Sequence, residues 1–143
     1  MTASFLSRLI VTVIAAGQGI APLFIDLNRT HATNPLWPGH ARFHVVWQTF
    51  GLFFTGIVGV ALIWWPSPGS RGLFYLAALL TALPMLSFLI AMFCRRAYGG
   101  TLHDPNGIQP VRIRIGTAVR EVDMNAVLVI FGGVVLVGAV LLF

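Results

Sequence analysis

The chain has 143 residues, of which 57% are hydrophobic and only 9% are charged. So few charged side chains cannot cover the surface of a soluble domain of this size, and the composition therefore indicates a membrane protein. The net charge of +5 comes from nine arginines and four carboxylates, with no lysine. Because the arginines flank apolar runs and form no single basic face, we expect contact with anionic membrane lipids and no binding of nucleic acid.

Four apolar runs can be read along the chain, at about residues 5–25, 43–65, 72–93 and 125–143. Each is close to the roughly 20 residues that a helix needs to cross a hydrocarbon core of about 30 Å. The first run lacks the cleavage site of a signal peptide, so we interpret it as a retained span. The pattern predicts one all-α domain over residues 1–143, an integral membrane four-helix bundle.

The arginines are distributed unevenly between the ends of these runs. Seven lie in the segments that join runs one to two and three to four, at positions 29, 42, 95, 96, 112, 114 and 120. Only Arg8 and Arg71 lie at the opposite ends. The positive-inside rule therefore predicts that the polar loops 26–42 and 94–124 are cytoplasmic and that both termini lie on the other side.

Histidines are concentrated between the first two runs, where residues 26–48 hold three of the four in the chain. Proline is favoured in a first helical turn, so the second helix is predicted to begin near Pro38. From there His40, His44 and Gln48 recur every four residues and share one helix face. Such a polar column is costly in lipid and has to face protein, water or a ligand. Asp26 is expected at a similar depth, close enough to meet His40.

These residues form the predicted functional cluster. We expect a catalytic set of Asp26, His31, Asn34, His40, Arg42 and His44, with substrate contacts from Trp37, Trp47, Gln48, Asp123 and Asn125. Several have a simpler interpretation: the tryptophans and arginines as interfacial anchors, Asp123 as a helix cap, and the histidines with Asp26 as a structural hydrogen-bond network.

The segment between runs three and four adds polar groups on the same side. His103, Asp104, Pro105, Asn106 and Gly107 form a turn pattern. Residues 111–115 alternate in polarity, which indicates a short strand or an amphipathic interfacial stretch. Their arginines are expected to contact lipid headgroups.

Residues 30–44 read T-H-A-T-N-P-L-W-P-G-H-A-R-F-H. This stretch resembles the signature T-H-x-x-N-P-x-W-P-x-H-A-K/R-F-H of a family of small multi-span membrane proteins from fungi and bacteria, known as a domain of unknown function. The match covers about a tenth of the chain. It implies the four-span layout and carries no catalytic roles.

Three functional hypotheses follow. The first is an enzyme that uses the His/Asp cluster for acid–base chemistry on a lipophilic small molecule, an isomerisation, cyclisation or epoxide opening, because histidine titrates near neutrality. No cofactor is needed for this chemistry. The second is a metal or haem site built from His31, His40 and His44 with Asp26 or His103. The third is a non-catalytic subunit, transporter fragment or lipid-binding module within a larger assembly, or a homo-oligomer, to which the glycines of runs one and four would offer packing surfaces.

Overall fold

The computed structural model describes residues 2–143, most of which form four helices: α1 (Ala3–Ile25), α2 (Gly39–Trp64), α3 (Ser70–Cys94) and α4 (Met124–Leu142). Each is long and apolar enough to cross a membrane. The prediction of an all-α four-helix membrane bundle is confirmed. Helix α2 begins directly after Pro38, as predicted, which is four residues before the apolar run itself.

Side-chain caps fix the starts of two helices. The Thr2 hydroxyl accepts the N–H of Phe5 at the start of α1. The Asp123 carboxylate accepts the N–H of Ala126 at the start of α4, at 2.9 Å. These bonds satisfy donors that the first turn of a helix leaves without an intrahelical partner.

The helices form a four-cornered bundle. Helix α1 packs mainly against α2 and α4, and α3 packs against the same two neighbours. The core lies between all four and contains large apolar side chains with small ones between them: Val11, Ile63, Phe74, Ala77, Ala78, Met85, Leu136 and Ala139.

Small residues allow the closest helix contact, between α1 and α2. A Cβ atom at Gly56 would stand 2.8 Å from the carbonyl oxygen of Ala15 and 3.3 Å from the Cα of Gly19. Gly132 in α4 likewise lies against the methyl group of Met85. Gly138 of the same helix has no atom of a neighbouring helix within 4 Å of the position of a Cβ.

A two-stranded hairpin precedes α4, consisting of β1 (Val111–Ile115) and β2 (Ala118–Val122). The strands are antiparallel, with Val111 opposite Val122 and Ile115 opposite Ala118. Gly116 begins the two-residue turn with a φ of 61°, a conformation that glycine adopts without strain. The alternation in residues 111–115 therefore belongs to a strand.

The two long connecting segments meet at one end of the bundle. The side-chain amide of Asn34 donates to the backbone carbonyl of Asn106 at 3.1 Å. We call this the polar end, comprising residues 26–38 and 95–123. At the opposite end, called the far end (residues 2–8 and 64–71), the indole N–H of Trp64 donates to the Thr12 hydroxyl of α1.

Candidate functional site

A cavity of about 290 Å³ opens at the polar end. Its walls come from the end of α1, the connecting segment before α2, the segment after α3, and the start of α4. The polar and aromatic side chains in its wall include Asp26, His31, Trp37, His103, Asp123 and Asn125.

The segment after α1 is held in shape by hydrogen bonds to its own backbone. Asn28 is central, because its amide N–H₂ donates to the carbonyls of Phe24 and Ile25. Its carbonyl oxygen accepts the backbone N–H of Thr30 at 2.8 Å. The backbone N–H of Ala32 then donates to the carbonyl of Asp26. This compact turn places Asp26 and His31 side by side.

The hydroxyl of Thr30 determines which nitrogen of His31 carries the proton. It lies 2.7 Å from the Asn28 carbonyl oxygen and 2.8 Å from the His31 Nδ1. The Asn28 oxygen can only accept, so the hydroxyl donates its single hydrogen there. The hydroxyl oxygen is then an acceptor for the His31 Nδ1–H. A neutral His31 is thereby fixed with Nε2 as the unprotonated, basic nitrogen.

Asp26 completes this arrangement. Its Oδ1 lies 3.9 Å from the His31 Nδ1, and each side chain is about one-quarter exposed. Burial raises the pKa of the Asp26 carboxyl above its ordinary value, and the nearby His31 acts in the opposite direction.

Trp37 forms a further part of the cavity wall. Its ring meets that of His31 edge to face, with the centroids 5.2 Å apart. Its indole N–H is buried and has no hydrogen-bond acceptor within residues 2–143. A buried donor without a partner costs on the order of 1–3 kcal/mol.

Asn34 joins the two connecting segments instead of lining the cavity. Its side chain is 2% exposed. The amide N–H₂ donates to the Asn106 and Thr30 carbonyls, and the amide oxygen accepts the N–H of Leu36. Because both ends of the amide have backbone partners, we assign Asn34 to holding the site together and not to stabilising charge on a substrate.

Asp123 and Asn125, predicted as substrate contacts, both border the cavity. Asp123 also caps α4, so the simpler prediction for this residue is confirmed at the same time. Since capping occupies one carboxylate oxygen, the other remains free to face the cavity.

The histidine pair on α2 lies elsewhere. The Nε2 atoms of His40 and His44 are 3.0 Å apart, which confirms that the i, i+4 spacing brings the two imidazoles together. Both side chains are exposed on the outer surface of α2, where His44 also stacks on Trp47. The ion-pair partner of Asp26 is His31, and none joins it to His40 within residues 2–143. The expected meeting of Asp26 and His40 is therefore not found.

Three further predicted site residues lie on α2 with this histidine pair and do not line the cavity. Trp47 and Gln48 are exposed, and Arg42 folds back over Gly39. Of the three histidines in the metal hypothesis, His31 lines the cavity, whereas His40 and His44 lie on the outer surface of α2. In the described part of the chain no three His, Cys, Asp or Glu side chains are grouped to hold one metal ion.

Two residues of the site are not among the predicted catalytic and substrate-contact residues. Thr30, which orients His31, stands next to it in sequence. His103, predicted as a possible metal ligand and as part of a turn pattern, lines the cavity with its neighbour Asp104. The turn pattern at residues 103–107 was the available signal, but its distance from Asp26 could not be read from the sequence.

Comparisons with protein-family models, curated proteins and solved structures return no match to this chain. The resemblance of residues 30–44 to a membrane-protein signature stays a prediction. Functional inference therefore depends on the chemistry of the site itself.

Proposed function

We propose that this protein is a small membrane enzyme that performs acid–base chemistry on a lipophilic molecule bound at the polar end. The observation that carries the proposal is the Asp26–His31 pair in the wall of the cavity, with the His31 tautomer set by Thr30. A carboxylate beside an imidazole with a free Nε2 is a common arrangement for a general base near neutral pH.

Each cavity residue has a definite task in this proposal. His31 Nε2 removes a proton from a carbon or hydroxyl of the substrate, exchanges it with water in the open cavity, and donates a proton at another position. Asp26 stabilises the imidazolium between these two steps. The Trp37 ring packs edge to face on His31 and forms part of the wall, Asp123 can exchange a proton with a polar group of the substrate, and Asn125 can form a hydrogen bond to that group.

The position and volume of the cavity limit the substrate. It lies at the ends of α1 and α4, both of which are apolar enough to cross a membrane, and Ile25 and Met124 supply apolar wall. A lipophilic molecule can enter from the bilayer without crossing water. A volume of about 290 Å³ is at the lower limit for small-molecule sites. It suits one ring or the functional end of a longer lipid, and an isomerisation or ring opening there needs no second substrate apart from water.

The polar end is proposed to face the cytoplasm. Seven of the nine arginines lie in or beside its two segments, and only Arg8 and Arg71 lie at the far end. Such an excess is typical of cytoplasmic loops.

Isotope incorporation tests the enzymatic proposal in a mixture of candidate substrates. Purified protein is incubated with a membrane lipid extract of its source in D₂O, and separately in H₂¹⁸O, followed by mass spectrometry of the lipids. Proton transfer at carbon introduces deuterium that back-exchange in ordinary water does not remove, and epoxide opening by water introduces ¹⁸O. We expect protein-dependent labelling of one lipid class.

Two histidine variants locate the activity. His31→Gln should reduce labelling by about 10²-fold or more, the usual contribution of a general base. His44→Gln removes an imidazole from the outer surface of α2 and should retain labelling. Labelling that is lost in His44→Gln and retained in His31→Gln would place the chemistry on α2. Absence of labelling with the native chain would contradict the enzymatic proposal.

A further inference from the structure

A second cavity, shallow and largely open to the outside, lies at the far end of the bundle, away from the Asp26–His31 pair, with a volume of about 410 Å³. One charged side chain lines it, that of Arg8, which lies about one and a half turns into α1. The other lining groups are hydroxyls and aromatic rings, notably Thr2, Ser67, Ser70, Trp64 and Trp65.

Arg8 has hydrogen-bonding capacity that the protein does not use. One of its guanidinium N–H groups donates to the backbone carbonyl of Ile63, and the guanidinium lies 5.2 Å from the ring centroid of Phe143. A guanidinium has five N–H donors. Within residues 2–143 the Ile63 carbonyl is its single hydrogen-bond acceptor, so four donors remain for a ligand.

No aspartate or glutamate lies at the far end to neutralise this charge. The four carboxylates of the chain, Asp26, Asp104, Glu121 and Asp123, all belong to the polar end. Helices α1 and α3 begin at this end and α2 and α4 end at it, so the helix dipoles offset one another and leave the charge of Arg8 as the main local charge. An anion from outside the protein can neutralise this half-buried arginine.

We propose that this far-end cavity is a binding site for a phosphate group, with Arg8 as its principal ligand. Arginine recognises phosphate through several parallel N–H donors, and the Ser67 and Ser70 hydroxyls can complete the shell. Trp64 and Trp65 would flank a glycerol backbone at the membrane interface, where tryptophan is favoured. A phosphodiester of an anionic phospholipid and a free phosphate share this chemistry.

Native mass spectrometry of the detergent-solubilised protein separates the two sources. The protein is titrated with phosphatidylglycerol, with phosphatidylcholine, whose choline carries a compensating positive charge, and with inorganic phosphate. Saturable binding of phosphatidylglycerol in preference to phosphatidylcholine identifies a lipid site, and equal binding of inorganic phosphate identifies a free-anion site. Binding of none of them overturns the proposal.

Arg8→Gln should weaken binding of the preferred anion by about tenfold or more, since charge-assisted hydrogen bonds are lost. Arg71→Gln is the matched control, because it removes the same charge from an exposed position at the same end and should change affinity less than about twofold. Equal losses in the two variants would show general attraction to a positive surface and contradict a built site.

Arg8 also contacts Ile63 and Phe143, so its replacement can disturb folding. Ser70→Ala leaves those contacts in place and should still weaken binding measurably, whereas Arg8→Lys retains the charge and should bind better than Arg8→Gln. Unchanged affinity in Ser70→Ala, together with equal affinity in Arg8→Lys and Arg8→Gln, would exclude a phosphate ligand.

Discussion

Asp26 is the residue immediately after α1. In the proposed site its carboxylate is partly shielded from water. Burial disfavours its ionised form, and His31 compensates for part of that cost. An aspartate at a solvated helix end would show neither effect. The pH dependence of stability therefore distinguishes the two descriptions.

Replacing Asp26 by asparagine should stabilise the protein at neutral and higher pH. Because the folded pKa of Asp26 is raised, the stability that its protonated form provides is fully present below the ordinary aspartate pKa and is lost as the pH rises through the folded pKa. The amide of Asp26→Asn carries no charge and avoids this loss. Thermal unfolding in detergent should thus show a melting temperature advantage for the variant at pH 8 that disappears near pH 4.

Glu121→Gln provides the control for this experiment. Its carboxylate is exposed in the hairpin, where it pairs with Arg112 at 3.2 Å, and exposed pairs contribute little to stability. Its effect should be small at both pH values. A growing loss of stability in Asp26→Asn as the pH rises would mean that the ionised carboxylate is net stabilising, contrary to our description.

At the residue scale the sequence did not show how the polar side chains of the polar end are combined. The adjacency of Asp26, His31 and Trp37 depends on a turn held by Asn28 and Thr30, which no helical period describes. The His40–His44 pair was correctly predicted because helical spacing is local. Which way that face of α2 points depends on the other three helices, and this information is not contained in the spacing.

Among the helix pairs of the bundle, α1 and α2 have the most extensive contact. Association of apolar helices in a membrane depends on shape, because lipid chains are as apolar as the helices. Gly56 permits the approach at Ala15 and Gly19. The position of Asp26, eleven residues along the chain from Ala15, follows from this contact.

Gly56→Ala should separate α1 from α2, because the added methyl group would meet backbone atoms that cannot rotate away. We expect destabilisation of about 1–3 kcal/mol, the range found for overpacked cores. Gly51→Ala is the matched control on the same helix, since no atom lies within 4 Å of its added Cβ. It should be neutral or stabilising, because alanine favours the helix over glycine. Unfolding in mixed detergent micelles measures both, and equal stability of the two variants would contradict the assigned packing.

The helices themselves were predictable because membrane spans have a fixed length and a uniform composition. The hairpin at residues 111–122 was indicated for its first strand only, since Ala118–Val122 lacks a regular alternation. Close packing at Gly56 was not predicted, because a glycine in an apolar run has the same sequence signal whether it faces lipid or a neighbouring helix.

For the whole molecule, the essential feature is that two segments separated by two membrane crossings form one site. Four antiparallel helices with a short connection between α2 and α3 require this, and the bond between Asn34 and Asn106 shows the result. An odd number of crossings between the segments would divide the cavity residues between opposite faces of the membrane. The proposed chemistry at Asp26 and His31 requires the walls contributed by His103 and Asp123.

Cysteine accessibility in sealed vesicles tests this claim most directly. Single cysteines are introduced at Thr33, Asn106 and Ser67 after Cys94, the one native cysteine, is replaced by serine. A membrane-impermeant maleimide should label Thr33→Cys and Asn106→Cys from the same face and Ser67→Cys from the other. In inside-out vesicles the first two should react if the polar end is cytoplasmic. Opposite accessibility of Thr33→Cys and Asn106→Cys would contradict the four-span bundle and the shared cavity together.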